Sequence, residues 1–345
     1  MNLRKVSLYL LCLTIGVLSC KKDDEPDPIV IEIRDRTEQQ LADMDSLVKY
    51  LSNHYYNSSE IAAALPNAGI NDIKITKLVS GASVPDGHTL LLDAVGAPKE
   101  VVYAETDYEY YVLKLNQGGG DSPTFADNVQ ILYEGFTLNN IVFDYKFYPN
   151  SNLFDLTSVI SGWQNVIPDF NTSESFTENS DGTVSYNNSG LGVMFLPSGL
   201  AYFSNASGGI PAYSPLIFKF ELLQMAENDH DGDGIPSYLE DVDGNDVLTD
   251  NTDDDTYRDN SGFIRPLYNY IDNDDDGDGI LTKNEITIST INKPTKEEVK
   301  GVTLEYNQVL LNKIKKEQNG SYTGTIITFK DTDGVGPFDY LDKNY

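Results

Sequence analysis

Thiols are scarce in this 345-residue chain, and both cysteines fall within its first 20 residues. Beyond Cys20 no disulfide can staple the fold. Basic residues are also few: 24 Lys and Arg stand against 54 Asp and Glu, a formal net charge of −30. Nucleic acid requires a cationic footprint that this chain lacks, so no nucleic-acid partner is expected. The run Gly118-Gly119-Gly120 has no G-x-G-x-x-G or G-K-[ST] context and reads as a loop, not a phosphate cradle. The apolar run at residues 6–17 is too short to span a bilayer. Tryptophan occurs once, as Trp163.

What is present begins with that short run. Arg4 and Lys5 precede it and Val17-Leu18-Ser19-Cys20 follows, the pattern of a signal peptide over residues 1–19. The last four residues resemble a bacterial lipobox, which implies cleavage before Cys20, acylation of its thiol and a membrane partner through that lipid. Lys21-Lys22-Asp23-Asp24-Glu25 is similar to the acidic signal of Bacteroidetes-type surface lipoproteins. That resemblance implies an outer-membrane lipoprotein, on the cell surface or the periplasmic face. Residues 20–36, with Pro26 and Pro28, read as a tether.

Residues 37–105 read as a helical and strand segment. Thr37-Glu38-Gln39-Gln40 has capping-box spacing, and Leu41, Met44, Leu47, Val48, Leu51 and Tyr55 recur at helical intervals, predicting a helix to about His54. His54 reads as a surface or capping group. Residues 73–79 and 108–115 alternate as strands do, and further strands are expected near 129–133, 141–144, 191–196 and 216–223. Residues 172–189, rich in Gly, Asn and Ser, read as an exposed loop.

Within 106–226 the order of short motifs resembles the FKBP-type peptidyl-prolyl isomerases. The motifs are Tyr133-Glu134-Gly135, Val142-Phe143-Asp144, Val159-Ile160-x-Gly162-Trp163, Ala201-Tyr202, Gly209-Ile210-Pro211 and Pro215-Leu216-Ile217-Phe218-x-Phe220-Glu221-Leu222. The resemblance implies an antiparallel sheet wrapped around one short helix that begins soon after Val159. It also implies a pocket lined by Tyr133, Phe143, Asp144, Val159, Ile160, Trp163, Tyr202, Ile210 and Phe218. In that reading the Tyr202 hydroxyl and the Ile160 amide donate to substrate carbonyls, and a buried Asp144 orients the polar groups. Proline-containing polypeptides would be the clients, and catalysis would need no cofactor. Three features depart from the family: Phe203 where Gly is common, Ala212-Tyr213 where Pro and a small polar residue are common, and a long segment between Trp163 and Gly192. They keep open a non-catalytic reading, as a proline-recognising chaperone or surface adhesion scaffold.

Between Glu227 and Thr290, 16 Asp and 3 Glu face only Arg258, Arg265 and Lys283, more than half the net charge. The acids are phased. Asp229, Asp231, Asp233, Gly234 and Glu240 match positions 1, 3, 5, 6 and 12 of an EF-hand-type loop, and Asp274, Asp276, Asp278, Gly279 and Glu285 match them again. Carbonyls of Ile235 and Ile280 would supply position 7. Without long flanking helices, the loops resemble thrombospondin type 3 or dockerin repeats, implying structural Ca²⁺. Weaker copies are expected at Asp331-Thr332-Asp333-Gly334 and at Asn251, Asp253 and Asp255. The expected fold class is α+β: the 37–105 segment, the FKBP-like domain, then an irregular Asp-rich calcium-binding module over 227–345. Within that module, residues 294–330 carry both a helix-start signal at Thr295-x-x-Glu298 and strand-like alternation at 323–329.

Overall fold

The computed structural model describes residues 33–149 and 152–344. The signal peptide, Cys20 and most of the expected tether lie outside the described residues. Asp35–Tyr345 forms one compact unit. Its centre is an antiparallel sheet of β1 (Lys99–Tyr103), β2 (Thr106–Asn116), β3 (Asn128–Thr137), β4 (Val142–Lys146), β5 (Phe154–Asp155), β6 (Gly190–Leu196) and β7 (Leu216–Ala226). The spatial order is β1-β2-β6-β7-β3-β4, and β5 pairs with the start of β3.

All seven residues of β6 are buried, which is why it reads as a continuous apolar run rather than an alternating one. Alternate side chains still go to opposite faces. Met194 and Leu196 join Trp163, Phe218 and Phe220 in one core, whereas Leu191, Val193 and Phe195 join Leu47, Tyr50 and Leu51 in another. The first core lies under α2 (Ser161–Val166) and the second under α1 (Arg36–Leu51). Gly162 permits the close approach of α2: a Cβ there would come within 2.3 Å of Leu196 Cδ1.

Several local expectations are corrected. The cap of α1 is Asp35, whose carboxylate accepts from Glu38 N at 3.0 Å, two residues before the expected Thr37. His54 lies beyond the helix and is buried, stacked on Tyr50 with centroids 3.7 Å apart and Nδ1 2.8 Å from Tyr50 O. Burial holds its pKa below the ordinary value. Residues 172–189 are not all loop: Ser175–Glu178 and Val184–Asn187 form a hairpin, with Phe176 against Tyr186 and a turn through Gly182 at φ 84°.

The acidic tail is more regular than expected. It carries an antiparallel sheet of β8 (Ile286–Lys293), β9 (Gln308–Lys316) and β10 (Tyr322–Phe329), with β10 central. Both signals within 294–330 are realised: Thr295 and Glu298 form a reciprocal capping box on α3 (Lys296–Lys300), and residues 322–329 are a strand. Ile235, Ile286, Leu311, Ile327, Phe329 and Tyr340 make a small separate core. The acidic loops thus rest on a packed sheet.

Candidate active site

A cleft of about 560 Å³ opens between α2, the β3–β4 end of the sheet and the loops after β5 and β6. All nine side chains expected there line it: Tyr133, Phe143, Asp144, Val159, Ile160, Trp163, Tyr202, Ile210 and Phe218. Phe154, Ser158, Ser207 and Gly208, which sequence reasoning missed, complete the lining. The rings are set edge-on. Trp163 meets Tyr133 at 5.4 Å and Phe218 at 5.3 Å between centroids, Phe218 meets Phe143 at 5.5 Å, and Phe154 meets Tyr133 at 5.7 Å. Such edge-to-face contacts are the favoured geometry for aromatic quadrupoles and fix each ring's orientation.

Tyr133 Oη donates to Asp144 Oδ2 at 2.6 Å, and Asp144 Oδ1 accepts from Tyr145 N at 2.9 Å. Burial, reinforced by that carboxylate, raises the Tyr133 pKa, so its hydroxyl stays protonated. Asp144 is exposed, contrary to the expectation that it is buried. Its partner Tyr133 is the buried member of the pair. Ile160 is the N-cap of α2, with extended backbone, and its carbonyl accepts from Trp163 N at 2.9 Å. Tyr202 stands at the rim, 37% exposed. Ser207 and Ile210 pair across Gly208-Gly209, both at positive φ (52° and 87°), a two-residue turn that needs glycine.

The departures at Phe203 and Tyr213 do not intrude on the cleft. Phe203 is buried behind Tyr202 at φ 47°, where its ring lies 4.2 Å from the Arg36 guanidinium and edge-on to Tyr213 at 5.2 Å. Left-handed backbone of this kind favours Gly; Phe203 accepts a cost of about 1–2 kcal/mol and recovers packing against Arg36 and Tyr213.

The tail holds three acidic groupings among the described residues: Asp231, Asp233, Glu240 and Asp275; Asp274, Asp276 and Asp278; and Asp241, Asp243 and Asp250. The last was missed because the first loop's Glu240 masks the pattern that begins one residue later. Asp229 is not in the first grouping; its carboxylate accepts from Gly232 N at 2.7 Å and Gly234 N at 3.1 Å. Glu285 is buried but lies outside the second. Ile235 N donates to Asp233 Oδ1 and Ile280 N to Asp278 Oδ1 at 2.7 and 2.6 Å. In the weaker copies, Asp253 Oδ1 accepts from Asp255 N at 2.8 Å, Asn251 Nδ2 donates to Asp255 O, and Asp331 and Asp333 accept from Gly334 N and Val335 N. Burial and mutual repulsion push Glu240 up to about 11, Asp275 to about 9, Asp231 to about 8 and Asp233 to about 6. Such carboxylates suit a cation better than solvent.

Comparison with known proteins adds a family context. The chain is 24% identical over 282 residues to the FKBP-type peptidyl-prolyl cis-trans isomerase FkpA of Aeromonas hydrophila, covering 67% of this chain and 98% of that one. It is 34% identical over 119 residues to the peptidyl-prolyl cis-trans isomerase Mip of Coxiella burnetii, covering 34% of this chain and 44% of that protein. A crystal structure of a peptidyl-prolyl isomerase from Pseudomonas syringae matches with 24% identity and a TM-score of 0.30, covering 39% of this chain and 85% of that one. A family model described as BamM C-terminal matches residues 230–319, which hold acidic loops and part of the tail sheet. The chain is thus homologous, at low identity, to FKBP-type peptidyl-prolyl isomerases.

Proposed function

We propose that this protein is an FKBP-type peptidyl-prolyl cis-trans isomerase that acts on X-Pro bonds of exported or outer-membrane proteins. The observation that carries the reading is the cleft itself: five edge-packed rings around a space suited to a prolyl ring, lined also by Asp144, Ser158, Tyr202 and Ser207. Rotation about an X-Pro bond must break amide resonance, with a barrier of about 18–20 kcal/mol. No bond between other atoms forms or breaks, so neither nucleophile nor general base is needed. A water-poor aromatic wall disfavours the more dipolar planar amide, and rotation is faster where the twisted form binds better. Tyr202 at the rim and the Ile160 amide at the start of α2 are the proposed donors to substrate carbonyls, and Asp144 fixes the Tyr133 hydroxyl. The lipid on Cys20 would hold the enzyme at the membrane. Structural Ca²⁺ in the acidic loops is the companion reading, supported by buried carboxylates of like charge gathered together.

A protease-coupled assay on X-Pro peptides tests the catalytic reading with the full chain. Wild type should accelerate isomerisation, and Tyr202→Phe and Asp144→Val should slow it while the protein stays folded. Peptide binding without turnover would instead leave the proline-recognising chaperone reading.

A further inference from the structure

We infer that the first acidic loop is completed from outside itself: one Ca²⁺ ion is held jointly by Asp231, Asp233 and Glu240 and by Asp275 of the second loop. This rests on the reading of the acidic loops as cation sites and is independent of the isomerase reading. One carboxylate oxygen from each of the four residues lies within 4.8 Å of the others. Asp233, Glu240 and Asp275 are 2%, 1% and 1% exposed. Neither oxygen of Glu240 has a hydrogen-bond partner, nor does Asp233 Oδ2 or Asp231 Oδ2. A fully buried carboxylate with two unsatisfied oxygens is costly unless something outside the chain neutralises it.

Asp275 is the unexpected member. It stands second in its own loop, an even position whose side chain an EF-hand-type loop does not use. Its main-chain N donates to the buried Thr282 Oγ1 at 3.3 Å, which fixes the backbone from which its carboxylate enters the first site. Meanwhile Asp229, the expected first ligand, is occupied by its own loop's amides. The donors are all carboxylate oxygens, with no imidazole or thiolate, which selects a hard cation. Ca²⁺ accepts six to eight oxygens in irregular geometry, whereas Mg²⁺ demands a near-ideal octahedron and keeps its waters. Because the ion ties residues 231–240 to residue 275, binding would join the two loops into one unit rather than fill two independent hands.

The test is calcium titration of the full chain by calorimetry, with melting scans in chelator and in calcium. Asp231→Asn and Asp275→Asn should weaken the same binding event, each by about 10- to 100-fold, and the double variant should weaken that one event further while leaving the others unchanged. A single cooperative melting transition of Asp275→Asn in chelator would show that the variant folds. If Asp275→Asn binds calcium and gains melting temperature as wild type does while Asp231→Asn does not, the site closes within its own loop and the inference fails. If the two substitutions weaken different events it fails too, although the calcium reading stands. A wild-type chain that binds no calcium overturns both.

Discussion

Asp43 and Ser198, 155 residues apart in sequence, are joined by two buried hydrogen bonds: Asp43 Oδ2 accepts from the Ser198 amide at 2.7 Å and from its hydroxyl at 2.6 Å. Ser198 begins the turn that leads to Tyr202, so α1 braces the rim of the cleft from the far side of the sheet. Arg36 reinforces the brace by donating to Tyr108 Oη at 3.0 Å and lying over Phe203.

Replacing Asp43 by Ala leaves the Ser198 amide buried and unsatisfied, at about 1–3 kcal/mol. Asp43→Ala should lower the melting temperature and also reduce kcat/KM on prolyl peptides, because Tyr202 loses its support. Unchanged kcat/KM in the folded variant would mean that α1 only covers the sheet.

Gly135 lies on β3 directly behind the cleft. A Cβ there would fall 2.6 Å from Phe218 Cε1 and 2.7 Å from Phe143 Cζ, so both rings would have to shift. Gly135→Ala should therefore keep the fold, which is carried by two cores, but lose at least about tenfold in kcat/KM, the scale expected from misplaced binding groups. Retention of full activity would show that the two rings are not the proline wall.

These two relationships also mark how far the sequence could be read. Gly135 and Gly162 stood out only as members of the resemblance's motifs, and the close approaches that require glycine there emerge only in the fold. The nine pocket residues were legible only as an ordered set, through the resemblance. Asp43 was not, since a polar residue on a helix gives no sign of a partner 155 positions away. Phe203 counted as a departure because adjacency to Tyr202 in sequence does not reveal that its backbone is left-handed and its ring packs against Arg36 and Tyr213. Asp275 escaped for a similar reason: loop spacing predicts ligands within one loop, not between two.

Glu227 gives the protein a pH dependence. Burial, then the Asp127 charge, raises its carboxyl from 4.5 to about 7, against smaller opposite effects of Lys313 and the amides of Lys313 and Asn312. The folded state therefore holds a proton that the unfolded chain releases. Its contribution is fully present below about pH 4.5 and is lost as pH rises through about 7. Denaturant midpoints measured from pH 5 to 8, at fixed calcium, should fall for wild type and fall less for Glu227→Gln. Parallel profiles for the two proteins would exclude Glu227 as the source.

His230 offers the most direct link between the acidic tail and the cleft. It sits between Asp229 and Asp231, with Nδ1 2.8 Å from Ser237 Oγ, Nε2 3.1 Å from Asp155 Oδ2 and its ring edge-on to Tyr270. Asp155 in turn accepts from the Thr157 amide at 2.8 Å and hydroxyl at 2.7 Å, capping the turn Leu156–Ser158 that delivers Val159 and Ile160 to the cleft. Although burial opposes it, the Thr157 and His230 contacts hold the Asp155 pKa below its ordinary value, so it stays ionised to pair with His230. Ordering the first loop by calcium should therefore steady the cleft wall. Trp163 is the sole tryptophan and lines that cleft, so its emission reports on the wall alone. Calcium added to the chelated protein should shift Trp163 emission and tighten prolyl-peptide binding by about fivefold, the lower end of ordinary coupling between sites. His230→Ala should retain calcium binding yet lose both responses. If the variant responds as wild type does, the loop and the cleft are coupled by another route or not at all.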